Sequence, residues 1–360
     1  MQIRRLSVHQ VRNFSAKSWQ FGRVTVIVGA NGSGKTTLLE AVALLGTAQS
    51  FRAGKIAEVI RLGQELGRIS GEIETDGEVL SLELLLTRGL VQGQRTQSRL
   101  FSVNGVRRRK ADFLGNLAVV VFRPEDLRLI EGSPARRREY LDLALSGVDF
   151  SYAEALTQYE KALKTRNRLL QLIQEGRQPQ TTLTYWNQLL WKHGEVIQLK
   201  RRDFLAFLNQ IGFALELGVR YEPSIISEQH LNDHLEKEIL VGHSLIGPHK
   251  DDFVVHFPGS QMHLTGELAT EALALSAYGS RGQQRLAVLW LKLGELLFAE
   301  TKLAQAPVLL LDDVMSELDS QSRAVVLGWL KKYQSVLTTA EAEILPEIKT
   351  QVPDLVEYRL

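Results

Sequence analysis

Apolar and polar positions alternate along the first third of the chain. Ile3 to Val8 and Phe21 to Val28, separated by the polar break Arg12-Asn13-Phe14-Ser15, predict strand, turn, strand. Gly71-Glu72-Ile73-Glu74 and Val79-Leu80-Ser81-Leu82-Glu83-Leu84 predict antiparallel strands between Ile69 and Val103, and Asn104-Gly105 predicts a hairpin turn. Leu117 to Phe122 predicts a buried strand. From Tyr152 the period changes. Tyr152, Leu156, Tyr159, Leu163, Leu170 and Ile173 step at helical spacing, Gln174 to Pro179 breaks the run, and Leu183 to Leu215 resumes it, which predicts a helical hairpin. After Tyr221-Glu222-Pro223 strand-like sequence returns, followed by an apolar helix from Leu286 and a buried strand Val308 to Leu311.

One junction in this pattern carries chemistry. Gly29-Ala30-Asn31-Gly32-Ser33-Gly34-Lys35-Thr36 fits the phosphate-binding loop at each fixed position. A buried strand, Val24 to Val28, precedes it, and a helix starting at Thr37 follows. Glycines at 29, 32 and 34 let backbone N–H groups curl inward, and the helix N-terminus adds partial positive charge where phosphates would sit. Lys35 then reaches the β- and γ-phosphates and the Thr36 hydroxyl binds Mg²⁺, with Thr37 counted among the nucleotide-binding residues.

Three further motifs belong with that loop. Ser280-Arg281-Gly282-Gln283 opens a helix, where the Ser280 hydroxyl, the Gly282 N–H, Gln283 and the helix dipole converge on a phosphate. The strand from Val308 ends in Asp312-Asp313, in which Asp312 suits the outer sphere of Mg²⁺ and Asp313 suits the base that orients attacking water. Ser316-Glu317-Leu318-Asp319 follows.

Composition narrows the classes. Of 360 residues, 44% are hydrophobic and 23% charged, as in a globular protein with a substantial core and a length that favours two domains. The absence of cysteine excludes disulfides, thiol nucleophiles and cysteine-ligated zinc. The N-terminus has no apolar signal core and no segment approaches a membrane span, which predicts a cytoplasmic protein with no membrane partner. A net charge of +2 leaves any nucleic-acid surface to local clusters. Two stand out: Arg107-Arg108-Arg109-Lys110 beyond the Asn-Gly turn and Arg136-Arg137-Arg138 at a helix start. The first reads either as phosphate contacts or as a solvated turn. The second sits unfavourably against the helix dipole and so calls for a partner. Arg52 either faces the nucleotide or solvates a helix end, and Asp251-Asp252 beside His249 and Lys250 reads either as function or as structure.

Phosphate loop, Ser-x-Gly-Gln segment, Asp-Asp strand end and Ser-x-Leu-Asp loop together resemble the ABC-type ATPase heads of SMC-like DNA-repair proteins. Within that group the chain resembles the bacterial RecF family over essentially its whole length. The residues that carry this are Arg12-Asn13-Phe14, Gly29 to Thr36, Ser50-Phe51-Arg52, Pro124 to Leu127, Arg137-Arg138, Arg166-Asn167, Gly247-Pro248-His249, Asp251-Asp252 and Gly282 to Arg285. The resemblance implies an α/β fold, an ABC-type P-loop ATPase head with an inserted α-helical hairpin lobe. Its parts are expected at 1–125 and 236–360 for the ATPase lobe and at 126–235 for the helical arm. It also implies ATP and Mg²⁺ as cofactors, weak ATPase activity, an ATP-dependent homodimer and DNA binding at gaps or single-strand/double-strand junctions. Action with RecO and RecR, replication restart and SOS induction complete the expectation. A nucleotide-gated scaffold that binds protein partners with little DNA contact is the alternative. The chain departs from many ABC ATPases in having no histidine after His263, so no switch histidine stands near Leu337-Thr338-Thr339-Ala340, and it carries Asp313 where a glutamate is usual in transporters. No γ-phosphate-sensing glutamine is assigned.

Overall fold

The alternating N-terminal residues form a six-stranded antiparallel sheet in the order Phe14–Gln20, Gln2–Val11, Leu66–Thr75, Glu78–Thr87, Arg99–Val103, Val106–Arg108. The computed structural model describes residues 1–258 and 273–360, so His263 lies outside the described residues. The expected break at residues 12–15 is shorter than the sequence suggests: Val11 pairs with Phe14, and only Arg12 and Asn13 form the turn. The strand Phe14–Gln20 escapes a hydrophobicity reading because it is an edge strand with one buried side chain, Trp19. The Asn104-Gly105 turn is as predicted, with φ of 51° and 75°, the left-handed pair that a two-residue hairpin demands.

A second sheet is wholly parallel, in the order Val119–Phe122, Val308–Asp312, Ser335–Thr339, Val24–Val28, Val356–Arg359. Its inner strands are buried at every position, as strands covered on both faces are. Between the two sheets runs the helix Lys35–Thr47, every residue of which except Thr36 is buried. It is buried around its circumference because it has sheet on both sides; Ile3, Leu6, Ile69 and Leu84 of one sheet and Val308, Leu310 and Val336 of the other share its core. The ends of the strands at Val28, Asp312 and Thr339 fall together at the carboxyl edge of the parallel sheet, the edge at which open α/β sheets bind ligands.

The chain divides into two compact units, Met1–Leu127 with Val288–Leu360, and Arg128–Ala287. The second division falls inside the helix Arg281–Leu303 rather than at 235/236, because the strand Asp252–His256 pairs with Gly218–Glu222 and stays with the helical unit. That unit holds the predicted hairpin as Phe150–Gln174 and Thr184–Leu208, two arms of 25 residues that reach about 37 Å at 1.5 Å per residue. The second arm stops short of Ile211 and Leu215. Asn209 ends it by exchanging two side-chain hydrogen bonds with the backbone of Val219, at 2.9 and 2.7 Å. Among the described residues no helix is long and apolar enough to cross a membrane.

Candidate functional site

The loop after Val28 takes its shape from glycine. Gly32 and Gly34 have φ of 85° and 105°, and a Cβ on Gly34 would stand 2.6 Å from both Asn13 Nδ2 and Phe14 Cζ. Lys35 folds its ammonium back onto the loop, donating to the carbonyls of Gly29 (2.6 Å) and Ala30 (3.2 Å). Ser33 Oγ is buried with no hydrogen-bond partner among the described residues. Asn31, Gly32, Gly34, Lys35, Thr36 and Thr37 line a cavity of about 690 Å³, and so does Asp313.

Parallel pairing delivers the carboxylates. Asp312, the last residue of its strand, lies in register with Thr338. Thr36 Oγ1 donates to Asp312 Oδ1 at 3.0 Å, and Thr338 Oγ1 donates to the same oxygen at 2.8 Å. Burial pushes the Asp312 carboxyl up from the ordinary aspartate value, and these two hydroxyl bonds oppose the shift. Asp313 adopts φ 53°, in the left-handed region, and its Oδ1 accepts from Ala340 N–H at 3.2 Å. A curl of backbone N–H groups, an ammonium and a hydroxyl beside two carboxylates is the donor and acceptor set for a polyphosphate with a hard divalent cation. The unpartnered Ser33 hydroxyl and the open space beside Gly32 fit that group too.

Several cavity residues were not predicted from sequence. Arg12 makes a two-bond pair with the buried Glu40 of the loop helix, at 2.9 and 2.7 Å, and reaches the Glu58 carbonyl at 2.8 Å. The Glu40 bond raises the Arg12 guanidinium above its ordinary value. Arg88 holds the turn before it through carbonyls of Gln64, Ile60 and Arg61. Arg52, open to either reading, is exposed on the cavity wall. A glutamate inside an apolar helix was the available signal for Arg12, since a buried carboxylate requires a cation. Nothing local marks Arg88 or Thr338, whose partners lie in distant segments.

Every residue lining the cavity comes from the first unit; Ser280, Gly282 and Gln283 belong to the second. There Ser280 and Gln283 form a reciprocal cap, Ser280 N–H donating to Gln283 Oε1 (2.8 Å) and Gln283 N–H to Ser280 Oγ (3.3 Å). Gly282 is exposed. Two of the three fixed residues of the Ser-x-Gly-Gln segment, Ser280 and Gln283, thus have a local cause in helix capping.

The two basic clusters differ. Arg107, Arg108 and Arg109 are exposed; Arg107 touches Gln97 at 3.3 Å and Arg109 meets Asp112 at 3.5 Å, while Lys110 opens a short helix. Arg137 and Arg138, in contrast, have the partner their position calls for within the chain. Arg137 pairs with Asp252 at 2.6 and 2.9 Å, and Arg138 donates to the Asp251 carbonyl at 2.9 Å. Arg136 stands beside them in the same helix, Pro134–Ser146. Asp251 is fully buried among Arg201, Gln198, Tyr221 and the Ser224 amide, so the Asp-Asp turn is a structural hub.

The family model of the RecF/RecN/SMC N-terminal domain matches residues 2–352. A protein of Thermomicrobium roseum described as DNA replication and repair protein RecF is 37% identical over 363 residues, covering 89% of this chain and 88% of that one. One of Geobacillus kaustophilus with the same description is 32% identical over 368 residues, with coverage of 95% and 94%. Among solved structures, the recombination mediator protein RecF-ATPrS in the RecFOR pathway superimposes with a TM-score of 0.79 at 30% identity, over 95% of this chain and 93% of that one. RecF-ATP from the same pathway gives 0.77 at 30% identity, over 95% and 92%.

Proposed function

This chain belongs to the RecF/RecN/SMC N-terminal domain family, and within it to RecF, with the α/β fold of an ABC-type P-loop ATPase head carrying an α-helical hairpin lobe; from that premise we propose that it is an ATP- and Mg²⁺-dependent DNA-binding protein of recombinational repair. The observation that carries the reading is the 3.0 Å bond between Thr36 and Asp312, which joins the phosphate loop to the carboxylate strand beside the cavity that Thr36 and Asp313 line. The ATP and ATPrS in the names of the two solved relatives support the choice of nucleotide.

Each residue then has a task. Loop amides from Gly29 to Thr37 hold phosphate oxygens, and Lys35 exchanges its two carbonyl partners for the β- and γ-phosphates. The Thr36 hydroxyl would offer a lone pair to Mg²⁺ while donating its hydrogen to Asp312. Bound there, Mg²⁺ neutralises charge on the phosphate chain. Asp313 orients the attacking water, in a site that turns over slowly. Ser280, Gly282 and Gln283 of a second copy complete the site, so that ATP closes a homodimer. The exposed Arg107, Arg108 and Arg109, with Lys110, supply DNA phosphate contacts. The RecFOR pathway named for the solved relatives supports RecO and RecR as partners; gapped or junction DNA, replication restart, SOS induction and a cytoplasmic location complete the proposal.

The test is a DNA titration with and without ATP at two salt concentrations, for the wild type and Lys35→Ala. ATP should strengthen salt-sensitive DNA binding in the wild type and not in the variant. DNA binding absent at both salts, with nucleotide-dependent capture of RecR retained, would favour the scaffold reading. Undiminished ATP-dependent binding in Lys35→Ala would refute gating by this site.

A further inference from the structure

Thr338 stands where the two carboxylates meet, and one hydroxyl serves both. Its Oγ1 donates to Asp312 Oδ1 at 2.8 Å and accepts the Asp313 N–H at 3.0 Å. The Thr338 carbonyl receives that same N–H at 3.2 Å, and Ala340 N–H, two residues on, reaches Asp313 Oδ1 at 3.2 Å. Thr338 itself is 1% exposed, in register with Asp312 on one side and Ile27, just before the phosphate loop, on the other. Asp313 requires such support. Its φ of 53° is a conformation that non-glycine residues rarely hold, and it aims the side chain into the cavity shared with Lys35 and Thr36. On Asp312, Thr36 and Thr338 both bond Oδ1, which leaves Oδ2 without a hydrogen bond among the described residues.

We propose that Thr338 is a positioning residue for nucleotide hydrolysis: its hydroxyl locks the Asp313 backbone in the left-handed turn and fixes which oxygen of Asp312 is left for a divalent cation. The inference rests on the functional reading above and adds to it a residue outside the four motifs. A threonine on the strand beside the carboxylates thereby takes a structural part at the segment where the chain carries no histidine. The residue touches neither phosphate nor water in this role; it acts through Asp312 and Asp313.

The test compares the full-length wild type with Thr338→Val, which removes the hydroxyl at nearly constant volume, and Thr338→Ser, which keeps it. ATP affinity is read by equilibrium titration, and kcat and KM by steady-state phosphate release. Thr338→Val should lower kcat about 10- to 100-fold, the range for outer-shell partners of a metal site, with KM and ATP affinity changed by less than about threefold. Thr338→Ser should recover most of the lost rate. A Thr338→Val kcat equal to the wild type, a fall in ATP affinity as large as the fall in kcat, or a Thr338→Ser rate as low as that of Thr338→Val overturns the inference. If Thr338→Val fails to fold, Thr338→Ser alone decides: turnover reduced to the level of Asp313→Asn rejects the hydroxyl's role. A wild type that hydrolyses no ATP fails the functional reading, and the inference with it; a wild type that hydrolyses ATP beside an unaffected Thr338→Val fails the inference alone.

Discussion

The hydroxyl of Thr36 lies 3.0 Å from Oδ1 of Asp312, although 276 positions separate them. The bond exists because the loop helix starts at the carboxyl edge of the sheet where the Asp312 strand ends. Asp312→Asn keeps the volume and removes the negative charge. It should lower Mg²⁺-dependent ATP affinity about 10- to 100-fold while leaving affinity in EDTA nearly unchanged. Calorimetric titration with and without Mg²⁺ checks this, and equal Mg²⁺ dependence in both proteins would remove Asp312 from the cation site.

Arginines in the two clusters should respond differently to removal. Replacing Arg107, Arg108 and Arg109 by Ala should lower DNA affinity and flatten its salt dependence by about 0.9 for each duplex phosphate no longer neutralised, with ATP binding intact. Arg137→Ala should instead destabilise the protein by about 2 kcal/mol, because the Asp252 carboxylate loses two charge-assisted hydrogen bonds. DNA titrations over a salt series, together with urea melts, separate the outcomes. An unchanged salt slope in the triple variant returns that cluster to a solvated turn.

Acid should weaken the helical unit through His249. Burial pushes this imidazole down to about 4, with Tyr159 Oη 2.7 Å from Nδ1 and the Ser244 carbonyl 3.2 Å from Nε2. The folded state therefore holds the ring neutral. Stability from this group is complete above the unfolded value near 6.5 and declines as pH falls toward 4, by on the order of 3 kcal/mol in total. His249→Gln, which cannot take the proton, should show a shallower loss between pH 7 and pH 4 than the wild type. Parallel slopes in chemical denaturation would show that His249 is not the group responsible.

Ser280→Arg tests the composite dimer. Lys35, Thr36 and Asp312 are untouched, so each monomer should bind ATP, while ATP-dependent dimerisation disappears in sedimentation velocity. Loss of the reciprocal cap should cost about 1 kcal/mol of helix stability. The wild type should show specific ATPase activity that rises with protein concentration, as mass action requires. A variant that still dimerises on ATP would end the composite-site reading.

What could be read from the chain itself were features whose cause is local. Hydrophobic period separates the strands near the N-terminus from the helical hairpin after Tyr152, and left-handed φ at Asn104 and Gly105 follows from residue type. The phosphate loop is likewise written in contiguous glycines, because its geometry is a property of eight successive residues. Local reasoning failed where an element owes its state to a neighbour: Phe14–Gln20 is a strand because Gln2–Val11 offers it an edge, and the helix Thr184–Leu208 stops because Asn209 finds the backbone of Val219. Arg137 is the sharpest case. Sequence showed a cation at the wrong end of a helix dipole, and so a need for a partner. Only the fold showed that the partner is Asp252, 115 residues on. The sequence by itself therefore determined which chemical groups the protein carries and the local backbone that presents the phosphate loop. Tertiary structure decided which carboxylate meets which hydroxyl or guanidinium, since such pairs are set by strand register and burial across hundreds of residues, where neither propensity nor periodicity reaches.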